Sequence, residues 1–201
     1  MKADSYRTII KPSDEVLFKE KNSKFFGYVY PVTIEEDVKR YIEVLKSKHT
    51  NAGHFCYAYV VGIEDSYHRI SDDGEPSNSA GAPIFGQIQH FDLTNVLVVV
   101  VRYFGGIKLG VGGLISAYKQ TSKLALLSCK IVIKYHQKTF EIIYPYESTN
   151  WVMRMIQQNQ LKIQTQEFKE QCRLIFLVRQ KESKKVLSQF KSQKEILINE
   201  L

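Results

Sequence analysis

The residues best suited to chemistry sit in one short run, Phe104-Gly105-Gly106-Ile107-Lys108-Leu109-Gly110-Val111-Gly112-Gly113, with Arg102 just before it. Five of the eleven glycines fall in this run. Glycine admits positive φ and lets a ligand or another backbone come close. Placed between a buried strand and a helix, such a run frees the first N–H groups of the helix, where anions are attracted. Arg102 and Lys108 flank the turn and add positive charge for a phosphate or carboxylate. The known phosphate fingerprints are absent: Gly110 is followed by Val111, where a P-loop needs Lys then Ser or Thr, and Ile115 stands where a dinucleotide fingerprint needs a small residue. From these residues alone, an anion cradle and a tight strand-to-helix turn fit equally well.

A second group is the acidic loop Asp72-Asp73-Gly74-Glu75, with His68 near it and His54 and Cys56 on the preceding strand. Carboxylates with imidazoles can hold a divalent metal. No pair here has a ligand spacing, so the acids are expected to cap and form turns, and no metal or cofactor is expected. Ser77 and Ser79 beside a histidine would suit acyl transfer, but nothing like GxSxG is present and helix capping is the commoner use. No catalytic residue is assigned. The aromatic residues near the motif, including Tyr57, Tyr59, Tyr103 and Phe104, suit base stacking when exposed and core packing when buried.

The elements that position these groups follow from periodicity. Val16 to Glu20 and Lys24 to Val32 alternate as strands do, and Ile34 to Lys48 carries apolar residues at helical spacing behind a Thr33/Glu36 capping-box pattern. His54 to Gly62 reads as a strand, Ile70 to Gly81 as a polar loop, and Pro83 to Phe91 as a short helix. Asn95 to Tyr103 is apolar throughout most of its length, as a central strand covered on both faces should be. A helix from Leu114 to Ser128 follows the glycines. After Ile133 the order becomes β-α-β-β-α-β in about 65 residues, the split-βαβ arrangement. The expectation is an α+β protein of two domains, residues 1–133 and 134–201.

The passage Asp73-Gly74-Glu75-Pro76-Ser77, then Ala80-Gly81-Ala82-Pro83-Ile84, resembles the DGEPSGTAGxPI signature of the IMPACT family. The run Asn95 to Gly110 is similar to its NVLVVVTRYFGGIKLG motif, and Gly112-Gly113-Leu114 and Ala117-Tyr118 continue it. Two departures stand out: Ser77-Asn78-Ser79 replaces Ser-Gly-Thr, and Val101 replaces a threonine. Asparagine tolerates the left-handed region well, and Ser79 keeps the hydroxyl. The two-domain layout resembles the bacterial YigZ branch. The resemblance implies a first domain like domain 2 of ribosomal protein S5, a sheet backed by helices on one face. It implies a second, ferredoxin-like domain similar to the C-terminal domains of elongation factor G. It also implies a link to translation. The eukaryotic members act by competing for the activator of an initiation-factor kinase, a role that uses an extra N-terminal domain for which 201 residues leave no room.

Bulk properties agree with a soluble protein. Hydrophobic residues make up 44% and charged residues 24%, and the start lacks the apolar run of a signal peptide. Three scattered cysteines suit a reducing, cytoplasmic compartment, and no membrane partner is expected. Residues 134–201 hold 12 Lys and Arg against 7 Asp and Glu, so +5 of the net +7 lies there. A basic surface favours RNA or the ribosome as partner. The expected function is a non-enzymatic, translation-linked protein that binds RNA or another phosphate-bearing ligand. The expected anion-binding set is Glu75, Ser77, Ser79, Arg102, Tyr103, Gly105, Gly106, Lys108, Gly110, Gly112 and Gly113. The alternatives are an enzyme acting on a phosphorylated small molecule at the same loops, and a protein-binding regulator without RNA contact.

Overall fold

The computed structural model describes residues 4–63 and 66–201, so residues 1–3 of the expected first domain lie outside it. It is a mixed α/β chain that divides into two compact units, Tyr6–Lys134 and Tyr135–Leu201, the second also taking in Asp4 and Ser5.

The first unit is built on a five-stranded antiparallel sheet. Its strands are β2 (Val16–Glu20), β3 (Ser23–Pro31), β4 (His54–Val61), β5 (Tyr67–Ser71) and β6 (Val96–Tyr103), in the spatial order β2-β3-β6-β4-β5. Val96 to Val101 is wholly buried, because the central strand β6 is covered on both faces. On one face lie α2 (Gly81–His90) and α3 (Gly110–Leu127), which bury Ile84, Ile88, Leu114, Ala117 and Tyr118 against Phe25, Cys56, Val98 and Val100. On the other lies α1 (Glu35–Lys48), whose Val38 and Leu45 pack with Tyr28, Tyr59, Leu97 and Val99. Helices therefore back both faces, where the family resemblance implied one. The cause is the apolar odd-numbered set of β6, which needs its own cover.

Three local expectations shift. The polar loop from Ile70 is shorter than expected, because Tyr67–Ser71 pairs with β4 as an edge strand. The Thr33/Glu36 capping box does not form: Ile34 is the N-cap of α1, with no side-chain cap. Helix α3 starts at Gly110, a turn earlier than Leu114, so Gly112 and Gly113 lie inside its first turn. Two short strands that periodicity did not reveal, β1 (Ser5–Ile9) and β7 (Ile131–Tyr135), pair as a two-stranded sheet.

The second unit runs β8 (Gln137–Pro145), α4 (Thr149–Gln158), β9 (Lys162–Glu167), β10 (Gln171–Arg179), α5 (Ser183–Lys191) and β11 (Leu197–Glu200). Its antiparallel sheet has the order β11-β8-β10-β9. Phe140, Ile142 and Tyr144 alternate toward the helices and meet Val152, Ile156, Val186 and Phe190.

Candidate functional site

The acidic loop between β5 and α2 is folded by its own carboxylates. Asp72 Oδ2 accepts from the Asn78 N–H at 2.9 Å, and its Oδ1 accepts from Ala80 and Gly81 at 2.9 and 2.8 Å. It thereby supplies acceptors at the start of α2, where the first N–H groups have none of their own. Asp73 Oδ2 accepts from the Phe55 N–H at 2.6 Å. Asn78 takes the left-handed conformation at φ 60°, which asparagine tolerates. Ser79 is fully buried and donates to the Pro76 carbonyl at 2.6 Å, while Ser77 is exposed at the surface. Asp72 thus caps α2 and Asp73 ties the loop to β4, and among the described residues no group of three or more His, Cys, Asp and Glu is placed to hold a metal.

This folding delivers one carboxylate inward. Glu75 is at the surface of the core with its side chain 3% exposed, and Arg102 of β6 donates to its Oε1 at 2.7 Å. The Tyr118 hydroxyl of α3 donates to the same oxygen at 2.7 Å. Arg102 is 6% exposed in its side chain and lies over the rings of Phe25 and Phe104, each 5.5 Å from the guanidinium carbon. Its Nε is buried with no hydrogen-bond partner among the described residues. Cys56 Sγ lies 3.0 Å from the Asp72 carbonyl and 3.3 Å from the Tyr118 hydroxyl. Burial pushes the Cys56 thiol and the Tyr118 phenol well up, so neither ionises near neutral pH and neither is an activated nucleophile.

Above this cluster lies a cavity of about 440 Å³, lined by His54, Glu75, Pro76, Arg102, Phe104, Lys108, Leu109, Gly110, Val111 and Leu114. The first turn of α3 forms part of its wall and has no side-chain cap and no acidic residue. An uncapped helix start with a buried arginine and an exposed lysine beside it is a favourable place for an anion. A second cavity of about 510 Å³ lies along the same helix, between α2 and α3, lined by Pro83, Gly86, Gln87, His90, Ile115, Lys119 and Lys123. Val111, Ile115, Lys119 and Lys123 are all exposed and fall at every fourth position, so one ridge of α3 joins the two cavities. Lys108, Lys119 and Lys123 have no ion-pair partner among the described residues.

Of the residues expected from sequence, Glu75, Arg102, Lys108 and Gly110 meet in the first cavity. Tyr103 does not, because neighbours on a strand point to opposite faces: its hydroxyl bonds His49 Nδ1 at 3.0 Å on the α1 side of the sheet. Gly105 has a packing role, since a Cβ there would lie 2.1 Å from the backbone carbon of Asn22. Gly106 and Gly110 are needed for positive φ, at 84° and 72°. Gly112 has open space around it, and neither it, Gly113, Ser77 nor Ser79 lines the cavity. Sequence reasoning placed no role on the α3 ridge, although its spacing of four was readable. It named His54 only for metal binding or as a partner to serine. His54 and Cys56 share a strand face, as residues two apart must, and that face is the one toward α3.

A model of the Impact N-terminal domain matches residues 21–126. The IMPACT family member YvyE of Bacillus subtilis is 35% identical, over 79% of this chain and 70% of its own length. An IMPACT family member of Haemophilus influenzae is 34% identical, over 85% of this chain and 84% of its own. The IMPACT family member YigZ of Escherichia coli is 39% identical over a shorter match, 49% of each chain. A crystal structure of a hypothetical protein shares the fold, with a TM-score of 0.72 at 24% identity, over 99% of this chain and 98% of that one.

Proposed function

The chain belongs to the IMPACT family, and on that premise we propose that it is a non-enzymatic, translation-linked protein that binds RNA, including ribosomal RNA, along α3. The observation that carries this reading is the ridge of Val111, Ile115, Lys119 and Lys123, which joins an anion-favouring cavity to a lysine-lined groove. From Val111 to Lys123 the helix rises about 18 Å, room for several phosphates of one strand. A site for a single small phosphorylated molecule would not need the second groove. Phe104, 55% exposed at the rim of the first cavity, offers a ring on which a base can stack.

The fold is consistent with this role. The β8-α4-β9-β10-α5-β11 sequence and the β11-β8-β10-β9 order support a ferredoxin-like assignment of the second unit. Its excess of positive charge adds longer-range attraction for an acidic polymer. Within the described residues no helix is long and apolar enough to cross a membrane.

The test is fluorescence anisotropy with a labelled single-stranded RNA across a salt series, comparing the protein with its Lys119→Glu/Lys123→Glu variant. Both lysines are exposed, so the variant folds. Affinity should fall steeply with salt, and the variant should bind more weakly with a log–log slope shallower by about 1 to 2. No binding at low salt, or an unchanged variant, would remove the reading.

A further inference from the structure

We propose that the cavity at the start of α3 reads the ribose 2′-hydroxyl of the bound strand, with His54 as the accepting group. The inference rests on the RNA-binding reading above. His54 opens β4, and its Nδ1 lies 2.8 Å from the carbonyl oxygen of Asp73. A carbonyl only accepts, so the hydrogen of the neutral ring is on Nδ1 and Nε2 carries a bare lone pair. That nitrogen is 4.0 Å from Glu75 Oε1, too far for a hydrogen bond, and it has no hydrogen-bond partner among the described residues. The side chain is 27% exposed and lines the cavity.

The cavity therefore has two chemically opposite walls. One accepts, through His54 Nε2 beside the Glu75 carboxylate. The other donates, through Lys108 and the uncapped first turn of α3, with the deeply buried Arg102 and its unpartnered Nε beneath. A phosphate alone satisfies only the donating wall. A ligand that satisfies both carries a hydrogen-bond donor a few bonds from its anion. In a nucleic-acid strand that pairing is the 2′-hydroxyl next to the 3′-phosphate, and DNA has no such donor. With a deoxyribose in place, His54 Nε2 loses water and gains nothing, which disfavours DNA.

The experiment uses three short single strands of one sequence, made as RNA, DNA and 2′-O-methyl RNA, against the full chain and its His54→Asn variant. Asparagine keeps an N–H for the Asp73 carbonyl and removes the accepting nitrogen. The native protein should bind RNA about tenfold more tightly than either other strand. The variant should bind all three strands alike, and a far-UV circular dichroism spectrum and urea midpoint matching those of the native protein show that it folds. Equal binding of the three strands by the native protein, with all three weakened by the Lys119/Lys123 charge reversal, would overturn the 2′-hydroxyl assignment while leaving RNA binding in place. A preference for RNA that persists in His54→Asn would overturn it as well. Absence of binding to any strand would instead sink the RNA reading itself.

Discussion

Replacing Glu75 by Gln isolates the charge of one buried carboxylate. The amide has nearly the same shape and keeps an oxygen for Arg102 and Tyr118, which both donate to Glu75 Oε1 at 2.7 Å. What it removes is the counter-charge of a guanidinium that is 6% exposed and held over two aromatic rings. Breaking a buried ion pair by removing one partner costs about 3–5 kcal/mol, because the other charge stays buried without compensation. The retained amide oxygen puts Glu75→Gln at the lower end, about 3 kcal/mol. For a unit of this size that is a drop of roughly 10 °C in melting temperature. The logic extends to the pair: adding Arg102→Met removes the stranded charge, so the double variant should recover much of the loss. Urea denaturation followed by far-UV circular dichroism, completed as a double-mutant cycle, measures both. A loss below about 1 kcal/mol for Glu75→Gln would refute the argument. So would a double variant less stable than the single one.

Two further outcomes follow from the packing. Gly105→Ala would place a Cβ 2.1 Å from Asn22 C and 2.4 Å from Ser23 N, so backbone must move, and a loss of about 3 kcal/mol or more is expected. Gly112→Ala in open space on α3 should instead gain about 0.4–1 kcal/mol, and equal effects at the two sites in chemical denaturation would contradict the packing argument. His49 gives a pH dependence. The Tyr28 hydroxyl donates to Glu15 at 2.5 Å, so its oxygen accepts from His49 Nε2 at 2.6 Å, and Tyr103 donates to Nδ1 at 3.0 Å. Burial first, then Lys48, holds the imidazole pKa below its ordinary value, while Glu15 opposes them. The unfolded state therefore takes up the proton first. Stability from His49 is complete above the ordinary histidine pKa of about 6.5 and is lost as pH falls below it. The melting temperature of the native protein should drop more between pH 7.5 and 5.5 than that of His49→Gln. Equal drops would remove His49 as the cause.

Much of the fold could be read from the chain because its signals are local. The apolar run of β6 required cover on both faces, and the β-α-β-β-α-β order after Ile133 was visible in alternation alone. The start of α3 was misplaced because Gly110, Gly112 and Gly113 read as a loop, while a helix tolerates glycine in its first turn, where few intrahelical bonds depend on it. The site was half legible. Arg102 and Lys108 were found from charge beside glycine, but Tyr103 was grouped with them although strand geometry sends it to the opposite face. His54 was not placed beside Arg102 because that depends on pairing of β4 with β6, where His54 stands directly opposite Arg102. Such register is a long-range property and leaves no mark on either strand by itself.

The central claim, that RNA lies along α3 from its first turn to Lys123, is tested most directly by amide NMR of the full chain during titration with a short single-stranded RNA. The account predicts shifts concentrated at Lys108, Gly110, Val111, Gly112, Ile115, Lys119 and Lys123, with His54 and Phe104 moving at the same RNA concentrations. Saturable shifts confined to other surfaces, with these amides unmoved, would contradict it.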